Sequence, residues 1–230
     1  MRRLLLVRHA PTSATRAFAF PVDEPLDERG RAAAAALRLQ LPTGFDVLCS
    51  PAARCRQTAQ AAGLASPVLE PQLSECDFGA WAGRTMQDVW SSDADAMTSW
   101  MTDPAARPHG GESLAVLCAR VGAWLDGQAA REGSAVAITH GGVVKAAVVH
   151  ALGAPVNAFW RIDATPLRVT ELHAHDGRWT VARVNAATTG ERREADLCGR
   201  VPDQAADGLS GRGPSRGADG SGAPTVEAPV

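Results

Sequence analysis

Arg8, His9, Thr12, Arg54, Arg56, Glu75, Asp77 and His140 are side chains of the types that handle phosphate, and they fall in four stretches that follow apolar runs or hold glycine-rich turns. A phosphate monoester dianion is held by bidentate guanidinium groups and backbone N–H groups, and moving its phosphoryl group needs a nucleophile in line with the departing oxygen. Four stretches carry these parts. Leu6-Val7-Arg8-His9-Ala10-Pro11-Thr12 hands an arginine and a histidine to the end of an apolar run. Ser50-Pro51-Ala52-Ala53-Arg54-Cys55-Arg56 holds two arginines that a helix turns about 200° apart, so one phosphate cannot easily use both. Leu73-Ser74-Glu75-Cys76-Asp77-Phe78-Gly79-Ala80-Trp81 sets two carboxylates beside apolar residues able to raise a carboxyl pKa. Ile138-Thr139-His140-Gly141-Gly142 puts a histidine before glycines that let a ligand approach the backbone closely. Each stretch alone has a bland reading: an Arg-His pair suits any surface turn, and the Glu75 stretch suits a loop anchored by Trp81.

The elements that position these residues follow from hydrophobic periodicity and its breakers. Leu4 to Val7 is an unbroken apolar run, as in a central parallel strand covered on both faces. A helix is predicted from Asp27, its N-cap, to Leu41, with Pro42 as the stop. Phe45 to Cys49 reads as a strand, followed by a helix to Ala62 that Ser50 caps and Pro51 begins. Pro67 to Glu70 suggests a short strand. The loop from Glu75 to Arg84 leads into one helix carrying Trp90 and Trp100 and ended by Asp103-Pro104. Glu112 to Arg131 reads as a helix, Ala135 to Thr139 as a strand and Val143 to Leu152 as a helix. Val169 to His173 and Trp179 to Val184 form a hairpin about Asp176-Gly177. This alternation predicts an α/β fold, a three-layer sandwich whose mostly parallel central sheet carries helices on both faces and binds ligands at the carboxyl ends of its strands. His9 and His140 both fall at such ends.

The chain has 230 residues, is 45% hydrophobic and carries a net charge of −2. We expect one domain over residues 1–185 and a Gly-, Ser- and Pro-rich disordered tail over 186–230. The charge argues against wrapping nucleic acid or lying on an anionic membrane, and the Leu4–Val7 run is too short to span one. The expected partner is a small phosphorylated metabolite; nothing indicates an oligomeric state. Five cysteines without C-x-x-C spacing fit reduced thiols in a cytoplasm. Lys145 is the only lysine and reads as compositional bias. His173 and His175 share a strand face, but two histidines without a third ligand favour a plain surface strand over a metal site.

In this order the four stretches resemble the histidine phosphatase superfamily, the phosphoglycerate-mutase-like proteins, over about residues 3 to 165. The resemblance implies that His9 accepts the phosphoryl group, that Arg8, Arg54 and His140 hold its oxygens, and that Glu75 protonates the leaving oxygen. Thr12 matches a position where a hydroxyl either binds phosphate or caps the turn. No cofactor and no metal is implied. The implied activity is hydrolysis of a small phosphate monoester through a phosphohistidine, with mutase-type transfer or a non-catalytic phosphate-binding relative as alternatives. The short stretch from Glu75 to His140, with Asp77-Phe78-Gly79, Trp81 and Gly83, resembles the phosphatase members. Trp100, Asp103-Pro104 and Pro108-His109-Gly110-Gly111-Glu112-Ser113 resemble the alpha-ribazole phosphatases of cobalamin assembly. Ala10, Pro11 and Thr15 stand where glycine, glutamate and asparagine are usual. Phe18 and Phe20 are expected to pack their loop down rather than cover a substrate.

Overall fold

The computed structural model describes residues 1–188; the remainder of the expected tail, from residue 189, lies outside the described residues. Strands β1 (Arg2–Arg8), β2 (Asp46–Cys49), β3 (Val68–Leu69), β4 (Gly133–Thr139), β5 (Val169–His175) and β6 (Arg178–Ala186) form one sheet of order β3-β2-β4-β1-β5-β6. The first four are parallel. The expected hairpin, β5 and β6, runs antiparallel beside β1, so the central strand has a parallel neighbour on one side and an antiparallel one on the other.

Successive strand side chains face opposite sides, and β1 uses both. Leu4 and Leu6 enter one core with Ala135, Ala137 and Leu172, covered by α6 (Leu114–Ala129) and α7 (Gly141–Ala151). Leu5 and Val7 enter the other with Val136, Ile138 and Cys49, covered by Cys55 and Ala59 of α3 (Ala53–Ala61). That is the three-layer arrangement the alternation predicted. No helix among the described residues is long and apolar enough to cross a membrane.

Several boundaries differ from expectation, each for a local reason. Helix α2 (Glu28–Ala35) starts on its Asp27 cap but stops well short of Leu41. Leu37, Leu39 and Leu41 alternate with polar residues and turn onto the second core, a period that an extended chain satisfies and a helix does not. Helix α3 begins at Ala53 and is not capped by Ser50; the Ala53 N–H donates to Asp23 Oδ1 at 2.7 Å instead. The single helix expected to carry Trp90 and Trp100 is two, α4 (Met86–Ser92) and α5 (Ala94–Thr102), because Asp93 ends one and caps the other through the Ala96 N–H. The break gathers Val89, Met97 and Trp100 around Phe20 and Trp81. Helix α7 starts at Gly141, directly after His140.

Candidate active site

The neighbouring strands β2, β4 and β1 end side by side, and their hydrogen bonding continues past the last paired residues. The His9 N–H donates to the Thr139 carbonyl at 2.8 Å and the Ser50 N–H to the Ile138 carbonyl at 2.9 Å. His9, Ser50 and His140 therefore sit in a row on rigid backbone at the carboxyl edge of the sheet.

His9 Nδ1 lies 2.7 Å from the Ala10 carbonyl oxygen. A carbonyl only accepts, so Nδ1 carries the proton and Nε2 keeps its lone pair. That lone pair accepts from Arg54 Nε at 3.2 Å. Burial, then the Arg54 and Arg8 guanidiniums, push the His9 pKa down to about 3 against the pull of the Ala10 bond. The imidazole is neutral.

Arg54 joins the two histidines: its Nη2 donates to His140 Nδ1 at 3.1 Å and its Nη1 to the Val22 carbonyl at 2.7 Å. Arg56, two residues on, is exposed, as the helical angle requires. Since His140 Nδ1 accepts, its Nε2–H donates to Ser50 Oγ at 2.8 Å. Both His140 nitrogens are thus engaged, and the ring grips Arg54 instead of presenting a free donor. Burial above all, with His9 and the arginines adding to it, holds its pKa well below the usual range.

Arg8 donates from Nη1 to the Ala164 carbonyl at 2.7 Å, while its buried Nε has no partner among the described residues. A Cβ at Gly141 would lie 3.4 Å from that guanidinium. Glu75 accepts from the Cys76 N–H at 3.0 Å and the Gly142 N–H at 3.3 Å. Its loop is tied by Arg120, which donates to the Gln72 and Ser74 carbonyls and forks onto both oxygens of Glu112 at 2.8 and 2.9 Å. Asp77, the other carboxylate of that stretch, is exposed and accepts from the Gly79 N–H.

Thr12 does not join the group. Its hydroxyl accepts from the Thr15 N–H, capping α1 (Ser13–Arg16), and donates to Glu24 at 3.0 Å, so of the two roles left open the structure shows the capping one. Thr15 completes the same cap by accepting from the Thr12 N–H. Ala10 is buried against Leu26 and Ala34, and a Cβ at Gly30 would meet the Pro11 carbonyl at 2.3 Å. The departures at 10 and 15 thus serve packing and capping of this turn, and the structure gives no explanation for Pro11. Sequence reasoning missed Glu24, whose Oε2 is buried 3.7 Å from Arg54, and the Arg120–Glu112 pair; no local pattern marks either.

In front of His9 opens a cavity of about 260 Å³, walled by Phe20, Phe78, Trp100, Phe159 and Trp160 and charged by Arg8, Glu24, Glu75 and Lys145. A second, polar recess reaches Arg54 and His140, with Glu75 lining both. Phe20 packs its loop down as expected but also walls the cavity, whereas Phe18 does not pack down and is 74% exposed at the rim with a φ of 51°. His173 pairs with Glu171 and His175 with Asp176, and no three potential metal ligands gather among the described residues.

The model of the histidine phosphatase superfamily (branch 1) matches residues 4–187. A bifunctional protein of Mycobacterium tuberculosis is 33% identical over 195 residues, which cover 80% of this chain and 53% of that protein, so the chain spans about half of that relative. The glucosyl-3-phosphoglycerate phosphatase of Mycolicibacterium vanbaalenii is 32% identical over 173 residues, 68% of this chain and 77% of that one. The solved alpha-ribazole phosphatase of Shigella flexneri shares the fold, with a TM-score of 0.71 at 24% identity over 83% of this chain and 99% of that chain. Because the family match runs from β1 through β6 and takes in every strand that carries the site, the chain belongs to the histidine phosphatase superfamily, branch 1.

Proposed function

We propose that this protein is a phosphoric monoester hydrolase that works through a phosphohistidine at His9. One observation carries the reading above the rest: the Nδ1–H of His9 is fixed on the Ala10 carbonyl, which leaves Nε2 unprotonated between the guanidiniums of Arg54 and Arg8 at the cavity floor. As the ester enters, Arg54 turns its Nε–H from Nε2 to a phosphoryl oxygen, and the partnerless Nε–H of Arg8 takes another. The freed lone pair attacks phosphorus; the Nε2–P bond forms as the P–O ester bond breaks, and Glu75 gives its proton to the departing oxygen. Water then attacks the same phosphorus, Glu75 takes its proton, and His9 departs neutral. His140 acts through Arg54, fixing the guanidinium on which both steps depend.

The substrate is a small monoester whose organic part lies on the aromatic wall. Alpha-ribazole 5'-phosphate fits by its aromatic base, and the named activity of the Mycolicibacterium relative adds a phosphorylated sugar acid to the candidates. Of the residues that resemble alpha-ribazole phosphatases, Gly111 packs against the Asp77 backbone away from the cavity, whereas Trp100 walls the cavity, so that resemblance speaks for loop architecture as well as for substrate. Incubation with p-nitrophenyl phosphate and rapid quenching tests the reading. The expected outcome is release of inorganic phosphate together with an acid-labile, base-stable phosphoryl group on His9, both lost in His9→Ala. Full turnover by His9→Ala rules the mechanism out.

A further inference from the structure

The one lysine of the chain lies in the active-site cavity. Lys145 stands four residues after Gly141 on α7, so it shares the helix face that Gly141 turns to Arg8, one turn further from the phosphate end and about 6 Å along the axis. Its ammonium lies 5.2 Å over the Phe159 ring and makes no hydrogen bond or ion pair with the described residues.

The carboxylates that face it are engaged elsewhere. Asp163 accepts from the Ala164 N–H, the Thr165 hydroxyl and the Asn185 amide, and Glu75 accepts from Cys76 and Gly142. Arg8 also faces it and repels it. A partly desolvated cation that Asp163 and Glu75 attract from a distance, but that is bonded to neither, keeps its N–H donors open to a ligand anion. The Lys145 ammonium is a compact point charge with three rotatable donors on a flexible stem, able to meet a carboxylate oxygen.

We propose that Lys145 forms a second anion subsite in the cavity and takes a carboxylate carried by the phosphorylated substrate, about one helical turn from phosphorus. The proposal rests on the phosphatase reading of the same cavity and narrows it: the preferred substrate is a phosphate ester of a hydroxy acid whose carbon skeleton lies against Phe159 and Trp160. Esters whose organic part carries no carboxylate, among them alpha-ribazole 5'-phosphate, leave Lys145 unpaired and are the poorer class.

The test compares 3-carboxyphenyl phosphate with 3-carbamoylphenyl phosphate, which match in shape and differ in charge. Wild-type protein should prefer the carboxylate by about 10-fold in kcat/KM, the usual worth of one charge-assisted bond. Lys145→Gln should bring the ratio toward parity, and Lys145→Arg should keep most of it. No preference in the wild type, or a preference that survives Lys145→Gln, overturns the proposal. Calorimetric binding of the same pair to His9→Ala and to His9→Ala/Lys145→Gln decides the question without turnover. Tighter carboxylate binding that needs Lys145 supports the subsite even where p-nitrophenyl phosphate is not hydrolysed, an outcome that would sink only the phosphatase reading; equal binding of both esters overturns the subsite.

Discussion

Burial and Arg54 hold His9 at a pKa of about 3, against 6.5 for an unperturbed imidazole. In the unfolded chain the ring binds its proton near 6.5, so between these two values the unfolded state carries more protons than the folded one. Stability linked to His9 is therefore complete above 6.5 and is lost progressively as pH falls toward 3. Denaturant midpoints measured across that window should fall less for His9→Asn than for the wild type; parallel curves would show that the ring is not held neutral. Glu75 offers a sharper contrast between structure and chemistry. A Cβ at Gly142 would fall 2.2 Å from Glu75 Oε1, the movable end of a side chain, so Gly142→Ala should displace the carboxylate at little cost in melting temperature. If Glu75 is the general acid, its displacement slows phosphorylation of His9 by alkyl phosphates by ~10²–10⁴-fold and by p-nitrophenyl phosphate far less, because p-nitrophenolate leaves without a proton. Single-turnover rates for both esters check this, with Glu75→Gln as the reference; equal losses for the two esters would remove Glu75 from the acid role. At this scale, His9 and His140 were legible only together: either alone suits a surface turn, but each follows an apolar run that reads as a parallel strand, and such strand ends share one edge of the sheet. Glu112 was not: it reads as a first-turn acid until the Ser113 cap shows that α6 starts beyond it, free to let Glu112 meet Arg120.

Two loops on the acid side of the cavity are laced together through glycine. The Ala80 N–H donates to the His109 carbonyl and the Glu112 N–H to the Asp77 carbonyl. A Cβ at Gly111 would lie 2.1 Å from the Asp77 oxygen, and one at Gly79 would lie 2.2 Å from that of His109. Here the obstacle is backbone, which cannot swing aside. Gly111→Ala should lower stability by about 1–3 kcal/mol, as overpacking does, and loosen the loop that ends in Glu75. Thermal unfolding checks the first effect; an unchanged melting temperature would mean that the loops part easily. Secondary structure was legible in this region only up to its breaks. Asp93 reads as one more polar residue of a continuous helix, and only the packing of Val89 and Met97 about Trp81 gives it the job of ending α4 and capping α5. The leucines at 37, 39 and 41 carried the opposite signal, a period of two, which the alanine run before them masked.

The far edge of the sheet is connected to the phosphate end of the molecule. β6 runs to Ala186, one residue past the boundary read from composition. Just before its end, the Asn185 side chain donates to Asp163 Oδ2 and Thr165 Oγ1 and accepts from the Thr165 N–H at 2.7 Å. That trio frames Ala164, whose carbonyl holds the Arg8 guanidinium. The last strand residues thus steady an arginine proposed to bind phosphate, although they lie on the other side of β5 from it. Residues 189–230 have no aromatic side chain and are rich in Gly, Ser and Pro, a composition that offers little apolar area to offset the entropy of ordering. A chain ended after Thr188 should accordingly keep the melting temperature and the turnover of the full chain. A chain ended after Val184 should not, because it loses Asn185 and with it the frame around Ala164; Asn185→Ala in the full chain should reproduce the loss of turnover with a smaller loss of stability. The three forms, compared by thermal unfolding and by kcat/KM for p-nitrophenyl phosphate, separate a tail that the domain does not need from a strand end that the site does. Equal turnover after all three changes would break the proposed connection between Asn185 and Arg8, and a loss on ending at Thr188 would place part of the site's support beyond it.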